Sequence, residues 1–162
     1  MKNITVIRVG GVVLGVAMVL AAASGIVRAQ ADPHIGTWVL NLEKSKYAPG
    51  TAPKSQRSVY SAVGKGIKVA TATVWPTGTV NSEYTAEVNG TDTPVKGNPD
   101  WDTTALKRVD SHTLEFTRKK GGKVVQTARS TVAKDGKSRT VTVTGVNAKG
   151  QKLNTVGVYT KQ

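Results

Sequence analysis

The sequence contains no cysteine. This excludes disulfides, thiolate metal ligands and a cysteine nucleophile. There are only two histidines, His34 and His112, and a single phenylalanine, and aromatic residues make up 5% of the chain. Modules that bind single-stranded nucleic acid place several aromatic side chains on one exposed face. The dispersed aromatics here therefore predict no specific nucleic-acid binding.

Charge is absent from the N-terminal stretch Val9 to Val27, which follows a basic start. The segment Ala29-Gln30-Ala31 then places small residues at the positions that signal peptidase requires. We interpret residues 1–31 as a cleavable secretory signal peptide and residues 32–162 as one mature domain. A retained membrane anchor is the alternative, but the small residues directly after the apolar stretch favour cleavage. The sequence thus predicts a periplasmic or secreted protein.

Acidic residues are scarce in the second half of the chain. Residues 32–104 hold seven Lys or Arg and seven Asp or Glu, whereas residues 105–162 hold thirteen and three. Such an asymmetry predicts attraction to an acidic ligand or to an anionic polymer or lipid of the cell envelope. A solvated basic surface that only keeps the protein soluble is the alternative.

Helical periodicity is almost missing from the mature chain, which is rich in Val and Thr. Alternating apolar and polar runs recur every few residues and end at turn-forming residues such as Asn89-Gly90, as in antiparallel all-β domains. Short connections bring sequential strands together, so we predict an all-β fold, either an up-and-down β-barrel of eight to ten strands or a sandwich. The predicted strands are residues 35–41, 54–62, 66–75, 79–88, 92–96, 103–109, 112–119, 123–134, 138–146 and 152–160.

The segment Gly36-Thr37-Trp38 resembles the G-x-W motif of calycins, the lipocalin and fatty-acid-binding-protein superfamily. The runs GTWVLNLEKSKYAPGTAPKSQ and AKDGKSRTVTVTGVNAKGQKLNTVGVYTKQ are similar to exported bacterial proteins described as lipocalin-like. The resemblance implies an up-and-down barrel, with Trp38 packed across its closed end, often under an arginine from the final strand. It also implies an internal cavity for a small hydrophobic or amphipathic ligand, which can be acidic.

The final predicted strand departs from that pattern, because it contains no arginine. Fatty-acid-binding proteins often hold a carboxylate with Arg-x-Tyr, and at the matching place this chain has Gly157-Val158-Tyr159. Only Tyr159 is carried over by the resemblance. The helical lid of that family has no room in residues 42–53, the one long connection in the first part of the chain.

Strand alternation identifies the inward-facing candidates. Leu114 and Phe116 share one face of their strand, and Arg139 is the best candidate for an inward cation that meets an acidic head group. The alternative is that Arg139 only flanks the Asp135-Gly136 turn and reaches water. The candidate ligand-binding residues are Trp38, Leu114, Phe116, Arg139 and Tyr159.

Successive turns of an up-and-down barrel alternate between its two ends, so one end gathers several lysines. We expect this basic rim to raise the local concentration of an anionic ligand or surface. The rim residues are Lys119, Lys120, Lys123, Lys149 and Lys152.

Catalytic and metal-binding constellations are missing. Asp110-Ser111-His112 contains triad residue types, but neighbours on one hairpin cannot converge their side chains. Asp100 and Asp102 flank Trp101, yet a calcium site needs about six oxygens. His34 lies close to the mature N-terminus, where we expect little order. We therefore predict a monomeric, non-enzymatic binding protein without catalytic residues, metal or cofactor. The alternative is a filled barrel without a pocket that contacts anionic envelope polymer or lipid through its basic half.

Overall fold

The structure is a computed structural model that describes residues 31–147 and 150–162. The predicted signal peptide, apart from Ala31, and the rim residue Lys149 lie outside the described residues. Within those residues, no helix is long and apolar enough to span a membrane.

Ten antiparallel strands form one sheet, as the alternating sequence predicts. Each strand pairs with its sequence neighbours, with one exception, and the first strand also pairs with the last. The sheet therefore curls into an up-and-down barrel that is nearly closed, and the all-β prediction is confirmed. The strands are β1 (Gly36–Lys46), β2 (Ser55–Val63), β3 (Gly66–Trp75), β4 (Gly78–Glu87), β5 (Asn89–Pro94), β6 (Thr103–Asp110), β7 (Thr113–Lys120), β8 (Lys123–Val132), β9 (Ser138–Val146) and β10 (Lys152–Lys161).

The exception is the pair β4 and β5, which share no ladder; β4 forms only one isolated bridge, from Glu83 to Lys96 in the connection after β5. The expectation that every short connection pairs its two strands is wrong here. The connection is Val88 alone, and its carbonyl accepts a hydrogen bond from the amide of Arg108 on β6 at 3.0 Å. The chain therefore pairs with β6 as soon as it leaves β4. The segment Asn89-Gly90, predicted as a turn, lies in β5, where the register with β6 shifts.

Strand β1 is longer than predicted and shortens the expected loop at residues 42–53. Its register with β10 shifts between Asn41 and Lys46, which marks a bulge. Ser45 fills the bulge, because its hydroxyl donates to the Asn41 carbonyl at 2.6 Å and accepts from the Val158 amide at 2.9 Å. The Ser45 side chain thus replaces some of the backbone hydrogen bonds that the bulge removes between β1 and β10, and the strand continues without a helix.

One end of the barrel, called the closed end below, is covered by the turn Asp32–Ile35 and by Trp38. The Trp38 indole is fully buried and donates to the carbonyl of His34 at 2.8 Å. Asp32 forms an ion pair with Arg108 of β6, and its carboxylate accepts from the His34 amide at 2.9 Å. His34 is itself fully buried, so the expectation of little order there is wrong.

The hydrophobic core lies next to the closed end. Its largest fully buried apolar side chains are those of Trp38, Leu106, Leu114 and Val132. They come from four different strands and face inward by the alternation that the sequence shows. The opposite half of the barrel is less filled, and this leaves room for a cavity.

Candidate ligand-binding cavity

The barrel interior contains a cavity of about 430 Å³. This volume lies in the range of small-molecule sites, roughly 300 to 1,000 Å³. The lining includes Thr77 and Pro99, which lie in the connections between β3 and β4 and between β5 and β6. The cavity therefore reaches the end opposite Trp38, which we call the open end. A filled barrel, expected for an envelope protein without a pocket, is not what the described residues form.

Arg139 of β9 lies at the inner limit of this cavity and is only 2% exposed. Its guanidinium carbon lies 4.9 Å from the centre of the Trp38 ring, 4.5 Å from that of Tyr60 and 4.7 Å from that of Tyr159. The side chain thus points inward, and the alternative that it reaches water is wrong. Ring faces stabilise a cation in such an aromatic cage.

Part of the hydrogen-bonding capacity of Arg139 is unused among the described residues. Within the described residues, its buried Nε and Nη1 atoms have no hydrogen-bond partner. None of the ion pairs formed by these residues includes Arg139. A desolvated cation with free N–H groups is a strong binding site for an anion that enters the cavity.

Trp38 occupies the place that the calycin resemblance implies, but its cationic neighbours differ. The arginine above its ring comes from β9 instead of the final strand, while β10 contributes Lys161, whose ammonium lies 5.2 Å from the ring centre. Trp38 lies behind Arg139 and does not border the cavity, and Leu114 is likewise in the core. Of the predicted ligand-binding residues, Phe116, Arg139 and Tyr159 border the cavity.

The wall formed by β2 and β3 is polar. Gln56 donates to the Thr73 hydroxyl at 2.8 Å and accepts a hydrogen bond from the Tyr159 hydroxyl. Next to it, the hydroxyls of Ser58 and Thr71 are 3.0 Å apart. Burial raises the pKa of Tyr159, so its hydroxyl stays protonated and keeps its hydrogen bond to Gln56.

The wall across the barrel is mostly apolar. It presents Phe116 from β7 and Val141 and Val143 from β9 to the cavity. The cavity therefore has one hydroxyl-rich side, and across it the apolar side chains lie on the same two strands as Arg118 and Arg139.

Sequence reasoning missed three residues of this cavity, Tyr84, Trp101 and Arg118. The Trp101 ring meets that of Tyr84 edge-on, with centroids 6.4 Å apart, and is covered by the Arg118 guanidinium at 4.7 Å. Arg118 also donates to the amide oxygen of Gln126 at 3.0 Å. Arg118 lies two residues after Phe116 on the same strand, so both side chains point to the same face. This alternation was sufficient to place Arg118 inside the barrel.

The acidic residues around Trp101 serve the turns. The Asp102 carboxylate accepts from the amide of Gly121 at 3.0 Å and from the Thr103 hydroxyl at 3.1 Å, and the Gly121 bond in particular lowers the pKa of Asp102. The side chain of Asp110 caps its own hairpin by accepting from the His112 amide at 2.8 Å. Among the described residues, no group of three or more His, Asp or Glu is placed to hold a metal ion.

Of the predicted basic rim, the described residues Lys119, Lys120, Lys123 and Lys152 lie at the open end. Gln126 near the start of β8 faces Gly145 near the end of β9, so the turn after β7 and the turn after β9 share this end. Lys119 forms an ion pair with Asp92 at 2.5 Å. The exposed rim lysines that form no ion pair within residues 31–147 and 150–162 are Lys120, Lys123 and Lys152.

These features define a lipocalin-like fold: an up-and-down antiparallel near-barrel with a buried tryptophan on its first strand and an internal cavity. A search of solved structures finds a similarity to the siderocalin Ex-FABP, which is described as functioning through dual ligand specificities. The match covers 80% of this chain and 74% of that chain, at 14% sequence identity and a TM-score of 0.46. No family model and no curated protein matches the sequence.

Proposed function

We propose that this is an exported, non-enzymatic binding protein that holds a small amphipathic, acidic ligand inside its barrel. The observation that carries the proposal is Arg139, a guanidinium that borders the cavity and has two buried nitrogen atoms without hydrogen-bond partners in the described chain. Export rests on the signal-peptide pattern of residues 1–31, and a monomer is expected.

Electrostatics support an anionic ligand. A buried cation loses the hydration that stabilises it in water, and the three surrounding rings offset only part of that loss. An anion in the cavity beside Arg139 replaces part of the lost hydration through its charge and through hydrogen bonds with the guanidinium. Ligand binding thus replaces the stabilising interactions with water that the Arg139 side chain loses on folding.

The basic rim supports the same function from outside. Lys120, Lys123 and Lys152 surround the open end, and their charge attracts an anion toward the cavity. The alternative function, contact with an anionic envelope surface by a filled barrel, is less well supported because the described residues enclose a cavity.

The experiment compares two dyes of the same ring system. Anilinonaphthalenesulfonate carries a sulfonate, whereas N-phenylnaphthylamine is neutral, and both fluoresce when they enter an apolar site. We expect the wild-type protein to bind the anionic dye at least about tenfold more tightly, the factor expected for one charge-assisted hydrogen bond. In Arg139→Gln this preference should disappear.

The matched control is Arg57→Gln, which removes an exposed arginine from the outer face of β2 and should keep the preference. Circular dichroism checks that both variants fold. Equal binding of the two dyes by the wild-type protein, or an unchanged preference in Arg139→Gln, contradicts the role of Arg139. Native mass spectrometry of protein purified from its own host would identify a ligand that co-purifies.

A further inference from the structure

A second guanidinium borders the same cavity. Arg118 lies on β7 with one face against Trp101, and its Nε atom is buried without a hydrogen-bond partner among the described residues. Its Nη1 atom is bound to Gln126. Like Arg139, it combines an aromatic contact with unused hydrogen-bonding capacity.

Neither charge is compensated by an ion pair within the described residues. The acidic residue on the cavity wall is Asp100, in the connection between β5 and β6, and it forms an ion pair with neither arginine. The four ion pairs in the described part of the chain use other cations. The cavity therefore carries two positive charges that a ligand can neutralise.

The two arginines come from different levels of the barrel wall, and both line one cavity. Arg118 faces Gln126, and Gln126 faces Gly145 near the open end of β9, whereas Arg139 lies at the other end of that strand. The backbone positions of the two arginines thus lie near opposite ends of β9, and both side chains border the cavity. One elongated molecule fits this spacing better than a single small anionic group.

The wall along the cavity argues against a simple hydrocarbon tail. On the β2–β3 side the cavity is lined by Gln56, Ser58, Thr71 and Thr73. A long alkyl chain would cover these groups and leave part of their hydrogen-bonding capacity unsatisfied. A short spacer between two polar ends covers less of this wall.

Given the function proposed above, on which this step rests, we infer that the ligand is a dianion with two separated anionic groups. One group binds Arg139 at the inner limit of the cavity, and the other binds Arg118 nearer the open end. The spacer lies between the hydroxyl-rich wall and the apolar wall of Phe116.

The test uses linear acids that differ in one charge. Octanedioate, decanedioate and dodecanedioate are compared with octanoate, decanoate and dodecanoate by isothermal titration calorimetry at low salt. At the length that spans the two arginines, we expect the diacid to bind about tenfold or more tightly than the monoacid. In Arg118→Met, which keeps an apolar stem over Trp101, diacid affinity should fall to that of the monoacid. The monoacid affinity should stay within about twofold, since its carboxylate uses Arg139.

The outcomes separate this inference from the proposed function. If monoacids bind through Arg139 and no diacid binds more tightly, the dianion is refuted while the proposed function stands. If neither series binds, both fail. The comparison on the wild-type protein is informative even if Arg118→Met does not fold. The control Arg57→Met changes an arginine on the outer face and should leave the affinities for diacid and monoacid unchanged. If Arg57→Met lowers the diacid affinity as much as Arg118→Met does, the inference is also overturned.

Discussion

Acidification should destabilise this fold through His34, which is fully buried beneath the closed end. Burial lowers the pKa of His34 from 6.5 to about 4. The neighbouring Asp32 carboxylate and the main chain of His112 act in the opposite direction, while the charges of Arg139 and Arg108 lower the pKa further. The imidazole is therefore neutral in the folded protein at neutral pH.

The sign of the effect follows from proton binding. Between pH 6.5 and about 4, the unfolded chain binds a proton at His34 and the folded protein does not. Neutral His34 therefore makes its full contribution to the unfolding free energy above pH 6.5. This contribution falls as the pH drops through that window and reaches its minimum below about pH 4. The difference between the pKa values of His34 in the unfolded and folded states corresponds to about 3 kcal/mol of unfolding free energy, since one pKa unit is worth about 1.4 kcal/mol.

The assay is urea unfolding of the wild-type protein and of His34→Leu, each near pH 7 and near pH 4. Leucine has a similar size, and neither ring nitrogen of His34 has a hydrogen-bond partner in the described residues, so the variant should fold. We expect the wild-type protein to lose about 3 kcal/mol more than the variant on acidification. His112→Gln, which changes the other histidine, should retain the wild-type dependence. Equal pH dependence of wild type and His34→Leu refutes the reasoning.

Two further predictions concern Trp38 and the rim. Trp38→Ala should cost about 3–5 kcal/mol of unfolding free energy in urea, because a fully buried indole is removed, and a loss below about 1 kcal/mol would contradict its structural role. Replacing Lys120, Lys123 and Lys152 together by Gln should slow association of anilinonaphthalenesulfonate in stopped-flow measurements at low salt. The difference should fade near physiological salt, where the Debye length is about 8 Å, while Lys65→Gln at the other end of the barrel should have no effect.

Most of the fold could be predicted from the sequence because strand alternation and turn residues are local signals. Nine of the ten strands were expected within a few residues, and the extension of β1 escaped because its bulge depends on Ser45 binding a distant amide on β10. The gap between β4 and β5 was not predicted either, because it also depends on a contact to a residue that is distant in the sequence. Whether the chain at Val88 pairs with β4 or with β6 depends on a contact to Arg108, which lies far along the sequence.

The cavity was predictable in part. Parity grouped the residues of each strand by face, and three of the inward-facing candidates that it offered, Arg139, Phe116 and Tyr159, border the cavity. Parity does not give depth along the barrel, so Leu114 was expected at the cavity and lies in the core. Trp101 escaped because it comes from a connection, where no periodicity indicates which way a side chain points.

The charge on Arg139 explains how the stability and the proposed function of this barrel depend on each other. An apolar side chain such as methionine could fill the same space without the cost of desolvating a cation. The chain instead keeps a guanidinium with two unused nitrogen atoms beside a cavity. Its desolvation is offset partly by three rings and fully only when an anion is bound. A ligand present at about one hundred times its Kd should therefore raise the unfolding free energy by about 2.7 kcal/mol, and Arg139→Gln should lose that gain because its affinity is lower.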